Sequence, residues 1–198
     1  ETGFNEVFFD NLEISDDYRL DDVGKGWKVA QTTLLHERGA GPMVTPSSGR
    51  GRGRGSSKAS AVGDAYALIN LAKDSTRDGQ SAANDPLLRD QIMQMIIRQE
   101  GSKQGARRAK VEGLCEHPMR IPLQAKLVMS EVRQDNAALA IDILGAHSTL
   151  YINDKNAPAG GEWPLAYMNS YGITIAAGAS EIQRNILGER VLGMAKSK

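Results

Sequence analysis

Most apolar positions in this chain recur at intervals of three and four, the spacing that gathers one face of an α-helix. A first helix begins near Trp27, with Ala30, Leu34, Glu37 and Gly41 on one stripe. A second runs from Lys58 to Asp74 along Val62, Ala65, Ile69 and Ala72. Asp85-Pro86 is a start signal, with Asp as N-cap and Pro at the first helical position. It predicts a long helix to about Cys115, with Leu88, Ile92, Met95, Ile96 and Gln99 on one face. His117-Pro118 ends that helix. Pro122 opens another through Leu127, Val128, Val132, Leu139, Ile143 and Leu144, which ends at Gly145. Gly160-Gly161 precedes a short helix near Trp163–Tyr171. Ser180, with Gln183 three residues on, predicts a capping box for a last helix.

Residues 4–9 instead alternate with period two. Phe4, Glu6 and Phe8 face one way, and Asn5, Val7 and Phe9 the other, which predicts a short strand. One strand without a partner is not a stable sheet. It is expected to pair with another chain, or with a sheet encoded upstream. Gly39 to Ser57 is rich in Gly, Pro and Ser and contains Gly49-Arg50-Gly51-Arg52-Gly53-Arg54-Gly55. Each Gly there raises the entropy cost of ordering, so this stretch reads as a mobile surface loop. The fold class expected is all-α: an antiparallel four-helix-type bundle with a short β-strand at the N-terminus.

Composition narrows the function. Hydrophobic residues are 40% of the 198 and aromatics only 5%, so a core rests on Leu, Ile, Val, Met and Ala. The 24 basic and 24 acidic residues cancel. That argues against a whole-domain electrostatic grip on nucleic acid or an anionic membrane. The single cysteine, Cys115, rules out an intrachain disulfide and a Cys-rich metal site, and suits a reducing compartment. No apolar run approaches 18 residues, and the start Glu1-Thr2-Gly3 carries no signal-peptide pattern. The run Arg50–Arg54 is similar to disordered segments that contact RNA. It has no interleaved aromatics, and a solvated insertion is the favoured reading.

Three stretches resemble the acyl-CoA dehydrogenase family. The first joins Phe4–Asp10 to Gly24-Lys25-Gly26-Trp27-Lys28-Val29-Ala30, similar to the last strand of that family's middle β-domain and the entry to its helical domain. The second is Leu34-Leu35-His36-Glu37-Arg38. The third and most specific is Gly178–Gly193, which opens Gly-Ala-Ser-Glu-Ile-Gln-Arg-Asn where relatives typically read Gly-Thr-Ser-Glu-Ile-Gln-Arg-Asn. The resemblance divides the chain into residues 1–25, a remnant of the β-domain with a linker, and residues 26–198, the C-terminal helical bundle. A disordered Gly/Arg-rich insertion falls at about 41–57.

The resemblance implies a flavin adenine dinucleotide cofactor and α,β-dehydrogenation of a fatty acyl or steroid-side-chain CoA thioester. The protein's share is a base that reaches the α-carbon opposite the flavin. In many relatives that base is a glutamate just before the Gly-Thr-Ser motif, where this chain has Ala177. A minority place it in the first helix of this domain, where Glu37 stands, with Arg38 beside it. Read from the stripe alone, Glu37 is either an edge acid paired with a base or a desolvated carboxylate of raised pKa. By the same resemblance Arg77 and Ile143, Leu144 and Gly145 lie against a neighbouring subunit's cofactor. Ala179, Ser180 and Glu181 meet the flavin, and Gly178 meets the substrate. Three departures weaken that picture. Asp142 puts a charge where relatives have an amide, Ala179 lacks the usual hydroxyl, and the sequence usual around Arg77 is missing.

The resemblance covers only the second half of the family's architecture. These residues alone are therefore expected not to dehydrogenate acyl-CoA. Two readings stay open: the helical domain of a dehydrogenase, or a non-catalytic oligomerisation module or diverged partner subunit. Either implies self-association or a partner that carries the missing domains. The expected location is the cytoplasm of a bacterium or a mitochondrial matrix. No metal site is expected.

Overall fold

The computed structural model describes residues 6–37, 63–111, 113–114 and 120–196, and of residues 35–37 and 122 the backbone only. The fold is the expected all-α bundle, with a two-stranded hairpin as its β-structure among the described residues. Residues 6–9 form no ladder and are exposed. The alternation of Val7, Phe8 and Phe9 is therefore not expressed as a strand here, as an unpartnered segment requires. The remainder of that segment, the Gly/Arg-rich stretch and Cys115 lie outside the described residues.

Helix α1 spans Gly26–Glu37. Its expected inward stripe does not face a core: Ala30 is exposed and Leu34 is 37% exposed. Trp27, at 72%, is more open still. Helix α2 spans Ala67–Asp74, a later start than the periodicity suggested. Residues 63–66 are a turn, entered through Gly63 at φ +99°. There the Ala65 amide donates to Gln99 Oε1 (2.9 Å) and the Tyr66 amide to Asp64 Oδ1 (3.0 Å). Those amides are satisfied by side chains, so the chain need not be helical earlier. The buried face of α2 is Leu68, Leu71 and Ala72. Ile69 is only half-buried at its margin.

A hairpin follows, with β1 Thr76–Arg77 and β2 Gln80–Ser81 antiparallel. Asp78 (φ +51°) and Gly79 (φ +77°) form its two-residue loop. Positive φ at both positions is the type I′ geometry that matches strand twist, and Asp-Gly is among its preferred sequences. Helix α3, Pro86–Arg108, starts as expected: Asp85 Oδ1 accepts from the amides of Leu87 (2.8 Å) and Leu88 (3.4 Å). It ends earlier than expected. Gly101 and Gly105 weaken its last turns, Val111 and Leu114 beyond them stay exposed, and the Arg108 Nε donates to the non-helical Leu114 carbonyl (2.9 Å).

Helix α4, Arg120–Leu144, begins two residues before Pro122. Proline is tolerated in a first turn because its missing N–H has no intrahelical partner there. Leu123, Leu127, Val132, Ala137, Leu139, Ala140 and Ile143 are all buried, on more than one face. This helix is the axis of the bundle, packing against α2, α3, α5 and the last helix, α6 (Ser180–Ile186). It ends at Leu144, as the sequence predicts, with Gly145 at φ +54° opening a short 3-10 turn. Helix α5 runs over Glu162–Ile175, longer than the Trp163–Tyr171 expected. Its entry is Ala159-Gly160-Gly161, three consecutive residues at positive φ. A Cβ on Gly161 would sit 2.5 Å from the Tyr151 carbonyl carbon, so only glycine lets these backbones approach. Leu187–Val191 continues α6 as a π-helical turn.

Candidate functional site

The sequence motif that carried the resemblance folds as the joint between α5 and α6. The Ala176 amide closes α5 on Gly172 O (2.9 Å), and the Gly178 amide returns to Ile175 O (3.2 Å). Ala177 (φ +56°) and Gly178 (φ +103°) make the reversal. A left-handed residue past a helix C-terminus is usually glycine; here an alanine takes that strain.

Four side chains hold the joint. Lys126 Nζ from α4 donates to Gly178 O (2.6 Å) and Thr174 O (3.4 Å). Gln183 Nε2 from α6 donates to Ala177 O (2.9 Å). Arg184 of α6 is ion-paired with Glu131 of α4. Gln183 is wholly buried, and its Oε1 has no partner among the described residues. The capping box expected at Ser180 does not form. Ser180 is the first helical residue, Ala179 holds the cap position without a side-chain bond, and Gln183 turns back to Ala177 instead.

The other predicted residues are placed as follows. Glu37 is the last residue of α1 and its side chain is not described; Arg38 lies outside the described residues. The apolar neighbours that were to desolvate Glu37, Ala30 and Leu34, face outward. Arg77 sits on β1 with Nη1 3.6 Å from Asp85 Oδ2, the α3 cap. The side chains of Ile143 (2% exposed) and Leu144 (5%) belong to the hydrophobic core with Leu68 and Trp163. Any contact there falls to exposed Gly145 and the helix-end backbone, not to those two side chains. Asp142 is exposed beside them. Ala177, Gly178, Ala179 and Ser180 are half-buried together at the joint, and Glu181 is exposed.

Two groups therefore separate. Lys126 marks the joint and Gly145 ends the same helix 19 residues on, a span of about 28 Å at helical rise. Lys126 and Glu131 were not legible as site residues. Nothing in their spacing distinguishes them from ordinary polar positions of an amphipathic helix.

A cavity of about 550 Å³ lies between α3, α4 and α5. Met129 and Ile173 line it on the side next to the joint; Asp64, Gln99 and Lys103 line it elsewhere. Gln99 Nε2 donates to Asp64 (2.7 Å), and that bond, with smaller help from the Tyr66 amide and Lys103, holds the Asp64 carboxyl below its usual range. A smaller cavity of about 290 Å³ between α3 and α4 is lined by Arg98, Arg108 and Arg120. Neither is lined by Arg77, Gly145 or residues 177–181. Of the positions that the resemblance assigns to a flavin dinucleotide, Arg77 offers a guanidinium on β1, and the exposed carboxylate of Asp142 stands beside the end of α4. Among the described residues no cluster of His, Cys, Asp and Glu could hold a metal, and no helix is long and apolar enough to cross a membrane.

An axial helix buried on several sides, a hairpin before α3 and a left-handed joint before a short final helix together define this helical bundle. The model of the acyl-CoA dehydrogenase C-terminal domain matches residues 24–192, and the chain belongs to that family. Two curated relatives, each described as acyl-CoA dehydrogenase IpdE1, come from Mycolicibacterium smegmatis and Mycobacterium tuberculosis. Each is 30% identical over 99% and 98% of this chain respectively. The acyl-CoA dehydrogenase FadE34 of Mycobacterium tuberculosis is 26% identical over 98% of the chain. The chain spans 44% of the length of the IpdE1 proteins and 23% of FadE34. A solved FAD-dependent dehydrogenase superposes on 67% of this chain, with a TM-score of 0.54 at 19% identity, covering 34% of that protein. At that identity the likeness speaks to the fold.

Proposed function

We propose that this chain is the C-terminal part of a flavin-dependent acyl-CoA dehydrogenase that introduces an α,β double bond into an acyl-CoA thioester. The observation that carries the reading is the family match across the whole bundle, residues 24–192. A bound flavin supplies the acceptor for the β-hydrogen as hydride. This chain's share is the α-proton, which passes to the Glu37 carboxylate, because Ala177 has no group that takes one. Arg38 adjoins that base, and Gly178 faces the thioester.

The separation of about 28 Å along α4 from Lys126, which bonds the joint, to Gly145 supports a division of labour between subunits. In this reading Ala179, Ser180 and Glu181 serve one flavin, while Arg77 and the end of α4 at Ile143, Leu144 and Gly145 serve a neighbour's. The working form is then a homo-oligomer or a mixed assembly, with the cytoplasm of a bacterium as its setting. Residues 1–25 belong to the β-domain and 26–198 to the bundle. The 198 residues alone do not turn over. The test supplies the purified chain with FAD, octanoyl-CoA and an electron-accepting dye. Steady dye reduction would bear out the chemistry and contradict the statement that these residues alone do not turn over.

A second reading, a non-catalytic assembly module or diverged partner subunit, is favoured by Ala177 and by the open apolar side chains on α5 and α6. Met168 is 64% exposed and Ile175 66%, and Ile182 of α6 is exposed as well. Large apolar side chains left open to solvent suit an association surface.

A further inference from the structure

We propose that Lys126 is a positioning residue that sets the conformation of the α5–α6 joint. The inference rests on the reading above, in which Gly178 faces the acyl thioester. The last carbonyls of a helix lack intrahelical partners, and a cation there meets both those oxygens and the negative end of the helix dipole. Lys126 does this for α5 through Thr174 O, and its shorter bond goes past the helix end to Gly178 O.

Gly178 has no side chain, so packing cannot fix its peptide. What its carbonyl bonds decides how the planar Gly178–Ala179 unit is turned. The preceding carbonyl, of Ala177, is held by Gln183 from a different element. Its peptide partner, the Gly178 amide, is held by Ile175 O. The two consecutive peptide planes are thus clamped by α4 on one side and by α5 and α6 on the other. The Arg184–Glu131 pair keeps α6 against the helix that carries Lys126. Removal of Lys126 frees one plane and leaves the other clamped. That is a local loosening at the substrate-facing turn, not a loss of the bundle.

The test compares the full chain with Lys126→Met and Lys126→Arg by amide hydrogen exchange, and by titration with octanoyl-CoA and with free CoA. Lys126→Met is expected to speed exchange at residues 177–179 by about tenfold, the size of a lost charge-assisted bond. It should leave Leu139 and Ala140 in the core unchanged and weaken octanoyl-CoA more than free CoA. Lys126→Arg, which keeps the donor, should restore both. Unchanged exchange at 177–179 in Lys126→Met overturns the proposal. So does an equal speeding throughout α4 and α5, which would make Lys126 merely structural. Failure of octanoyl-CoA to bind the unaltered chain counts instead against the functional reading, and the exchange data then decide the role of Lys126 separately.

Discussion

The side-chain amide of Gln183 donates to the carbonyl oxygen of Ala177 at 2.9 Å, so the last helix is fastened to the turn that precedes it by a residue with no exposed surface. Gln183→Ala removes that hydrogen bond and opens a void at a wholly buried position. The expected cost is about 1–3 kcal/mol, from the lost bond and the void together. A chain of this length then melts several degrees lower, since each kcal/mol is worth about 2–4 °C. Thermal unfolding followed by circular dichroism reads it, and an unchanged midpoint would count against the clamp.

Asp85 has two partners, the first amides of α3 and the Arg77 guanidinium. Asp85→Ala is expected to cost about 1 kcal/mol, nearly all from the cap. The Arg77 pair is half-exposed and contributes little. A double-mutant cycle with Arg77→Ala should give a coupling near zero. A large coupling would show the hairpin and α3 bound together more tightly than their geometry implies.

Gly161 and Gly160 make a matched comparison. Both have positive φ, but a Cβ on Gly161 meets the Tyr151 backbone while one on Gly160 meets open space. Gly161→Ala is therefore expected to cost about 2–5 kcal/mol, strain plus overpacking, and Gly160→Ala only the strain, about 1 kcal/mol. Denaturant melts of the two variants separate these values. Equal losses would contradict the close approach.

Asp64 gives a pH dependence of known sign. Its folded pKa lies below the unfolded value, chiefly through the Gln99 hydrogen bond. The associated stability is present above the unfolded pKa and is lost as pH falls through the folded pKa. Asp64 is exposed, so the effect is small. Asp64→Asn should make stability less steep in acid than in the unaltered chain. Parallel curves down to the acid limit would remove Asp64 from the account.

The helices were legible where burial and local chemistry agree. Asp85-Pro86 marked the start of α3 and Gly145 the end of α4, because caps act within a turn of themselves. The faces were less legible. The α1 stripe through Ala30 and Leu34 is apolar, yet it meets solvent in this structure, and spacing alone cannot say what lies opposite a face. The hairpin left no pattern to read, since two-residue strands are too short to show alternation. At the joint, the sequence marked Gly178–Gly193 as the defining motif, but two of the residues that hold it, Lys126 and Glu131, lie on another helix, 52 and 53 positions before their partners Gly178 and Arg184.

The central claim is that this chain contributes the base of an acyl-CoA dehydrogenase through Glu37. The direct measurement is anaerobic bleaching of the flavin's visible absorbance by acyl-CoA in the proposed flavoprotein assembled with this chain, with and without Glu37→Gln. The account predicts rapid bleaching in the unaltered protein. In Glu37→Gln it predicts bleaching slowed by about 10²–10⁴-fold, the size of a lost general base, with acyl-CoA still bound. Bleaching at an unaltered rate in Glu37→Gln would contradict it.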